Sequence, residues 1–560
     1  MKITGAAIVA ETLIEQGATT VFGYPGGQVI NLYDALYERS DRIHHVITAH
    51  EQGAAHAADG FARATGKVGV CIATSGPGAT NLVTGIATAQ LDSIPLVAIT
   101  GNVPNSLIGR DSFQEVDIVG VTMPVTKHNF FVKKVEDLAP TIREAFRIAK
   151  SGRPGPVLVD IPKDVQCAVY DYEPQPVVEP EENPVASENK IDEAVKLINE
   201  SKRPYIYCGG GVVTGDASAE VAELAEKIDA PFGCTMMGVA ISPKSNKRFL
   251  GMEGMHGQYA SSIAQNESDL IITCGCRFSD RGTGNVSKYA RKARIIHIDI
   301  DAAELDKNIK TTLPMQGEIK ETLRKIIDRV EKKKHDEWMS EVEEFKKEEN
   351  EKTYRFDEYK EKLKDSILPY DAIDALKEAA GSDTILATDV GQHQMWAAQR
   401  YDFDHPRDFI SSGGLGTMGF GMGAAIGAYF GTGRPVALVT GDGSFGMNLN
   451  ELATAVSNNV PLVILILNNG VLGMVRQWQT LFFDKHYSQT TLNRKTDFVK
   501  LAEAFGAEGF RVYNIPELKD ALKKAFELKS PVVVDCIINE DEFVLPMLPP
   551  GGSIDDMICK

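Results

Sequence analysis

The sequence predicts an α/β protein made of three doubly wound parallel-sheet domains, and three observations carry that expectation. Short apolar strands alternate with helical patterns along most of the chain, the rhythm of βα units on a largely parallel sheet. A Pro- and Glu-rich stretch and a charge-dense stretch interrupt the rhythm and divide it into three. At 560 residues the chain is too long for one core, and ordinary domain sizes give roughly three or four.

The elements follow in order. "MKITGAAIVAETLIEQGATTVFGYPGG" enters an amphipathic helix within a few residues, with Thr4 as N-cap and Gly17 as the stop, which leaves no room for a signal or transit peptide. Strands are expected at "TTVFGY", "HHVITA", "KVGVCIAT", "IPLVAIT" and "GPVLVDIP", giving a first domain over 1–167. "YDYEPQPVVEPEENPVASEN" lacks periodicity and reads as an exposed linker. The second domain, 188–340, has strands at "PYIYCGG", "PFGCTM", "DLIITCG" and "RIIHIDID". "RVEKKKHDEWMSEVEEFKKEENEKTYRFDEYKEKLK" is dense in both charges and is expected to be a solvated helical connector. The third domain covers 368–545 and a tail 546–560. No internal repeat is visible, although the first and third stretches share a similar strand and helix rhythm.

Composition excludes several classes. The formal charge of −18 and the lack of a Lys/Arg cluster argue against nucleic acid. No apolar run is long enough to span a bilayer. The eight cysteines are scattered, and the close pair Cys274-Gly-Cys276 lacks zinc-ribbon spacing, so reduced thiols in a cytoplasmic protein are expected.

The chemistry begins at "GDGSFGMNLNELATAVSNNVPLVILILNN". "RPVALVTGDG" is a strand running into Asp442, and "NVPLVILILNN" is one running into Asn469. Leu449, Leu452, Ala453 and Val456 between them fall on one face of a crossover helix. A right-handed βαβ unit then places Asp442 and Asn469 together at the carboxyl end of the sheet, where open α/β sheets bind ligands. A carboxylate and an amide carbonyl supply half of an oxygen shell that Mg²⁺ completes with phosphate and water. Gly441 and Gly443 let the backbone approach those phosphates. GDG alone is most often a tight turn; the second oxygen ligand at the end of the next strand points to a metal–diphosphate.

The GDG…NN pattern resembles the thiamine-diphosphate enzymes. The resemblance implies that Asp442, Asn469 and the Val471 carbonyl bind Mg²⁺. Val390, Gly391, Gln392 and His393 would approach the diphosphate, with Gly416 and Met418 on "SSGGLGTMGFGMGAAIGA", Met418 propping the thiamine into its bent shape. Ser444, Leu472, Gly473 and Met474 would complete that site. These enzymes also need an acid to protonate the cofactor's aminopyrimidine, whose imino form removes the C2 proton. Glu51, at a strand-to-helix junction in "HHVITAHEQGAAHAADGFARATG", matches that acid and would reach a cofactor held by another subunit, which requires at least a dimer. The small residues that follow it imply close packing against something large.

"FGYPGG", "RDSFQEVDIVGVTMPVTKHNF", "GQHQMWAAQ", "LGMVRQW" and "VLPMLPPGG", in order across three domains, resemble the catalytic, or large, subunits of the acetolactate synthase family. The resemblance implies a pyrimidine-binding first domain, a central FAD-binding domain, a diphosphate-binding third domain and a tail over the active site. The activity it implies decarboxylates pyruvate on thiamine diphosphate and joins the hydroxyethyl unit to a second 2-keto acid, pyruvate or 2-ketobutyrate, in branched-chain amino acid biosynthesis. Gly27, Phe113, Gln114 and Lys127 match residues near the reacting centre. Arg281 would face the second substrate's carboxylate, where its fork suits bidentate binding, while Met474 and Trp478 would line the alkyl pocket.

FAD would be met by Arg153, by Gly209, Gly210 and Gly211, by Thr235 and Met236, and by Met255, His256 and Gly257. Further matched positions are Gly275, Cys276, Arg277, Arg281, Asp299, Ile300, Glu318 and Ile319. Two residues depart from the family pattern: Ser279, where it has Asp, bears on flavin affinity, and Gly423, where it has Pro, bears on backbone stiffness. A homodimer or larger homo-oligomer and a regulatory small subunit are the partners implied. Alternatives are a flavin-free catabolic acetolactate synthase, a pyruvate oxidase, or a nucleotide-binding module without catalysis.

Overall fold

The computed structural model describes residues 1–353 and 366–559. Thr4 ends strand β1 (Lys2–Thr4) and its hydroxyl accepts from the Ala7 amide, starting the helix Gly5–Glu15; Gly17, at φ +82°, turns the chain out of it. Six parallel strands follow in the first domain: β2 (Thr20–Gly23), β3 (His44–Ile47), β4 (Gly69–Ala73), β5 (Leu96–Asn102), β6 (His128–Phe131) and β7 (Pro156–Pro162). Their spatial order is β3-β2-β4-β5-β7-β6. Strands β4, β5 and β7 are buried along their whole length, which is why they read as unbroken apolar runs. β8 (Val169–Asp171) returns to pair antiparallel with β1, and the stretch before the helix Glu188–Glu200 is mostly exposed, as a linker should be.

The second sheet contains β9 (Pro204–Cys208), β10 (Phe232–Cys234), β11 (Phe249–Met252), β12 (Leu270–Cys274), β13 (Arg294–Asp299) and β14 (Leu313–Gln316). Its order, β11-β10-β9-β12-β13-β14, is that of the dinucleotide-binding α/β fold, with the direction of winding reversing between β9 and β12. The third sheet, from β15 (Ile385–Thr388), β16 (Phe409–Ile410), β17 (Val436–Gly441), β18 (Leu462–Asn468), β19 (Glu508–Val512) and β20 (Val532–Ile537), runs β16-β15-β17-β18-β20-β19. Numbered from its own first strand, this is the order of the first sheet. The shared rhythm of the two stretches is therefore a shared topology, with winding reversing between β2 and β4 in one and between β15 and β17 in the other.

Two expectations need correction. The charged connector is helical over Asp336–Thr353, but it is not merely solvated: Trp338 and Val342 are buried, and the Trp338 indole donates to the Pro204 carbonyl at 3.1 Å. The rest of that stretch, 354–364, lies outside the described residues. The crossover after β17 is two helices, Asp442–Asn448 and Glu451–Ser457, and Ala453 is exposed. The break moves the buried face to Glu451, Leu452, Thr454 and Ala455.

The first and third domains meet along the helices Glu51–Thr65 and Phe420–Thr432. A Cβ at Gly60 would overlap the Ala424 backbone, and one at Gly427 the Ala57 carbonyl. The small residues after Glu51 thus pack against another small-residue helix, not against a bulky group. Gly423 lies in this crossing, where a Cβ would come 2.7 Å from the Gly53 carbonyl oxygen, so its role exceeds local stiffness. The buried Arg63 pairs with Asp59 and Asp92, and donates to the Ser411 carbonyl at 2.8 Å, joining the two domains at their glycine-rich turn. No helix of the described residues is long and apolar enough to cross a membrane.

Candidate active site

The three sheets each present a loop cluster where their winding reverses, and Gly209–Gly211, Gly275, Val390–His393 and Asp442 follow the strands at those points. In the third domain, Asp442 follows β17 and is buried; burial pushes its carboxyl up to about 6 against hydrogen bonds from the Gly443, Asp442 and Gly470 amides. Asn469 follows the adjacent β18, its side-chain oxygen accepting from the Val471 amide at 3.2 Å and its NH₂ meeting the Gln392 oxygen at 3.4 Å. Gln392 is fixed by donating to Gln477 at 3.0 Å and to the Glu542 carbonyl at 2.7 Å. Gly473 admits this cluster, since a Cβ there would overlap the Gln392 side chain.

His393 is buried against Gly391 and Gly441, and burial lowers its pKa to about 3, so it is neutral; its Nε2 has no partner. Met418 approaches Gly443, with its methyl 4.0 Å from where a Gly443 Cβ would stand. Sequence reasoning missed two residues that build this turn. Asp389 accepts from the Gly419 and Gly421 amides at 2.8 and 3.0 Å, and from Thr440 at 2.9 Å. Asp92, from the first domain, accepts from Gly413 and Gly414 at 3.0 and 2.7 Å. Both act across long sequence separations, so no local pattern marks them.

This donor set fits a metal–diphosphate. Asp442 and Asn469 offer two side-chain oxygens, and the glycines at 441 and 443 clear the approach. An unpartnered imidazole nitrogen at His393 stands in the same cluster. Among the described residues no group of three His, Cys, Asp or Glu is placed to hold a metal by itself.

The first domain forms a second cluster. Glu51 begins its helix, partly buried, and accepts from the Asn81 amide group at 3.0 Å. Gly78 lies against it, where a Cβ would be 3.2 Å from Oε1. Thr74 receives the Gln28 amide at 3.2 Å and packs on Gly26, while Gln114, at φ +60°, packs on Gly76. Gly27 has open space where a side chain would go, and the Phe113 ring is 84% exposed. Lys127 does not join this cluster within one chain. Its amide bonds Pro156, the first residue of β7, at the opposite edge of the parallel sheet. Its ammonium is occupied by the Ile148 and Ser151 carbonyls at the end of the helix Leu138–Lys150, and burial lowers its pKa. None of the hydrogen bonds of Glu51 connects it to Asp442 or Asn469. Within one chain, Glu51 is thus held by the first domain's own Asn81.

The middle domain brings Gly209, Gly211 and Gly275 into backbone contact at its reversal point, with Gly275 at φ +59°. Ile319 packs on both Gly211 and Gly275, and Thr235 donates its amide to Cys208 at 2.9 Å. The buried His256 has an unpartnered Nε2. This cradle fits a dinucleotide's backbone contacts. Its charged groups are already engaged: Arg153 with Glu304 at 2.7 Å and Asp301 at 3.3 Å, and Glu318 capping its own helix through Lys320 and Glu321. Arg277 donates to the Leu91 carbonyl at 2.5 Å, and burial holds Asp299 up at about 6.

Arg281 leaves this domain and lies over the Trp478 ring, 5.7 Å from its centroid, a cation–π contact across the domain boundary. Trp478 belongs to the helix Gly473–Phe482, so the helix that Asn469 leads into also carries it. The tail closes over this junction: Leu548 donates to Met255, Asn285 to Gly552, and Gln477 to the Met547 sulfur at 3.5 Å.

Three family models match the chain. They are described as the N-terminal TPP binding domain, the central domain and the C-terminal TPP binding domain of thiamine pyrophosphate enzymes, over residues 3–121, 191–326 and 389–536. A probable acetolactate synthase large subunit of Methanocaldococcus jannaschii is 46% identical over 99% of this chain and 95% of its own length. The acetolactate synthase large subunit of Haemophilus influenzae is 43% identical over 100% and 98%. The isozyme 1 large subunit of Escherichia coli is also 43% identical over 100% and 98%.

Proposed function

Because this chain belongs to the thiamine pyrophosphate enzymes, and within them to the acetolactate synthase large subunits, we propose that it condenses two 2-keto acids. Pyruvate loses carbon dioxide, and its remaining two-carbon unit joins a second pyruvate or a 2-ketobutyrate. Thiamine diphosphate, when bound, supplies the nucleophilic carbon and the electron sink for this decarboxylation. Asp442, Asn469 and the Val471 carbonyl would hold Mg²⁺ with the diphosphate, and Met418 would lie against the thiamine. Glu51 holds a proton at its carboxyl for the aminopyrimidine.

The observation that carries the substrate reading is the Arg281–Trp478 stack. It sets a guanidinium fork, suited to a carboxylate, beside a flat apolar face suited to a short alkyl chain. The family match supports a homodimer in which each active site draws Glu51 from one copy and Asp442 from the other. The relatives' designation as large subunits supports a smaller regulatory partner. Buried thiols at Cys71, Cys208, Cys234, Cys274, Cys276 and Cys536 suit the cytoplasm.

FAD is proposed for the cradle at Gly209–Gly211 and Gly275. One observation favours the flavin-free variant of the same reaction: Arg153 and Glu318 already have internal partners. The absorption spectrum of the purified protein separates the two, by a flavin band or none. Incubating the chain with pyruvate, thiamine diphosphate and Mg²⁺ tests the activity. Acetolactate is the expected product; acetyl phosphate, formed when phosphate and oxygen are supplied, would make the protein a pyruvate oxidase, and no turnover would make it a binding module.

A further inference from the structure

Glu451 opens the helix Glu451–Ser457 and is fully buried, yet its carboxylate reaches out of its own domain. It accepts from the Ala49 amide at 3.2 Å and the His50 amide at 3.0 Å, and the Thr454 hydroxyl donates to it at 2.7 Å. Those two amides immediately precede Glu51, the first residue of the helix Glu51–Thr65. Gly53 makes the approach possible, because a Cβ there would overlap the Glu451 carboxylate. The same two-helix segment begins at Asp442.

We propose that Glu451 is a positioning residue for Glu51: by holding the Ala49 and His50 amides it sets where the Glu51 carboxyl stands, and it ties that setting to the segment carrying Asp442. The inference rests on the reading of Glu51 as proton donor to the bound thiamine. In the two-copy arrangement Glu51 serves the partner's cofactor while Asp442 holds the chain's own. Glu451 then links one active site to the other through a single carboxylate.

Two measurements test this. In cofactor-free protein, hydrogen–deuterium exchange of one of the Ala49 and His50 amides is expected to be at least roughly tenfold faster in Glu451→Gln, since the glutamine keeps one acceptor oxygen and turns its NH₂ toward the other backbone donor. Parent-like protection of both would overturn the inference. In protein saturated with Mg²⁺ and thiamine diphosphate, C2–H exchange followed by NMR is compared in the parent, Glu51→Gln, Glu451→Gln and the double variant. Glu51→Gln should slow exchange by roughly 10²–10⁴-fold and Glu451→Gln by at least roughly tenfold. The double variant should be no slower than Glu51→Gln alone, because Glu451 acts through Glu51. Parent-like exchange in Glu451→Gln, or full additivity in the double variant, contradicts the proposal; unchanged exchange in Glu51→Gln instead removes the reading on which it rests. Should Glu451→Gln fail to fold, Gly53→Ala displaces the carboxylate without removing it. The same slowing is then expected, and a parent-like rate would count against the proposal.

Discussion

Asp442 is a carboxyl that burial, opposed by three backbone amides, raises to about 6, and its best partner is a cation. Replacing it by Asn keeps the shape and removes the charge. Asp442→Asn is expected to weaken Mg²⁺-dependent cofactor binding by at least roughly 100-fold, beyond the 10–100-fold typical of outer-shell groups, in a titration followed by tryptophan fluorescence. Trp478 acts on selectivity instead. One methylene is worth about 1–3 kcal/mol in an apolar pocket, so Trp478→Leu should lower the preference for 2-ketobutyrate over pyruvate by roughly tenfold. Competition between the two acids in one vessel reads this, and an unchanged product ratio would make the tryptophan structural. Asp160 illustrates the pH side. Burial raises its carboxyl from 3.8 to about 7, opposed by donors on Thr100 and Asn102. Between those values the folded chain holds a proton that the unfolded chain has lost, so stability falls as pH rises through this window and levels off above about 7. The thermal midpoint of the parent should therefore fall relative to that of Asp160→Asn between about pH 4 and pH 7; parallel curves would show that Asp160 does not titrate there.

At the scale of elements, the crossing of the helices Glu51–Thr65 and Phe420–Thr432 fixes how the first and third domains meet. Gly427→Ala places a methyl on the Ala57 carbonyl and should cost about 1–3 kcal/mol, seen as a lower midpoint in thermal unfolding. Gly27→Ala meets nothing within the chain, so its thermal stability should match the parent while turnover falls, if a partner's cofactor fills that space. The strands that the sequence made legible are those buried on both faces, such as β4, β5, β17 and β18, because nothing polar interrupts them. The shorter edge strands β6 and β14 are partly exposed and carry no alternation long enough to recognise. The buried face of the helix Asp336–Thr353 rests on Trp338 and Val342 alone, and the charges around them mask that pair.

For the whole molecule, the placement of candidate site residues was legible where they follow a strand end, as at Asp442, Asn469 and Glu51, because topology then dictates the place. It was silent where a residue acts across domains: Glu451 on Ala49 and His50, Asp92 on Gly413 and Gly414, Arg63 on Ser411. Such contacts leave no spacing to read. Complementation shows whether 2-keto acid condensation takes place at sites shared between two copies of the chain. Glu51→Gln and Asp442→Asn chains, each nearly inactive alone, are co-expressed and purified together, and acetolactate formation is measured. Random pairing makes half of the dimers mixed, each with one site free of both substitutions, so about a quarter of the parent activity should return. Mixed protein that forms no more acetolactate than the two variants separately would place Glu51 and Asp442 in the same copy's site.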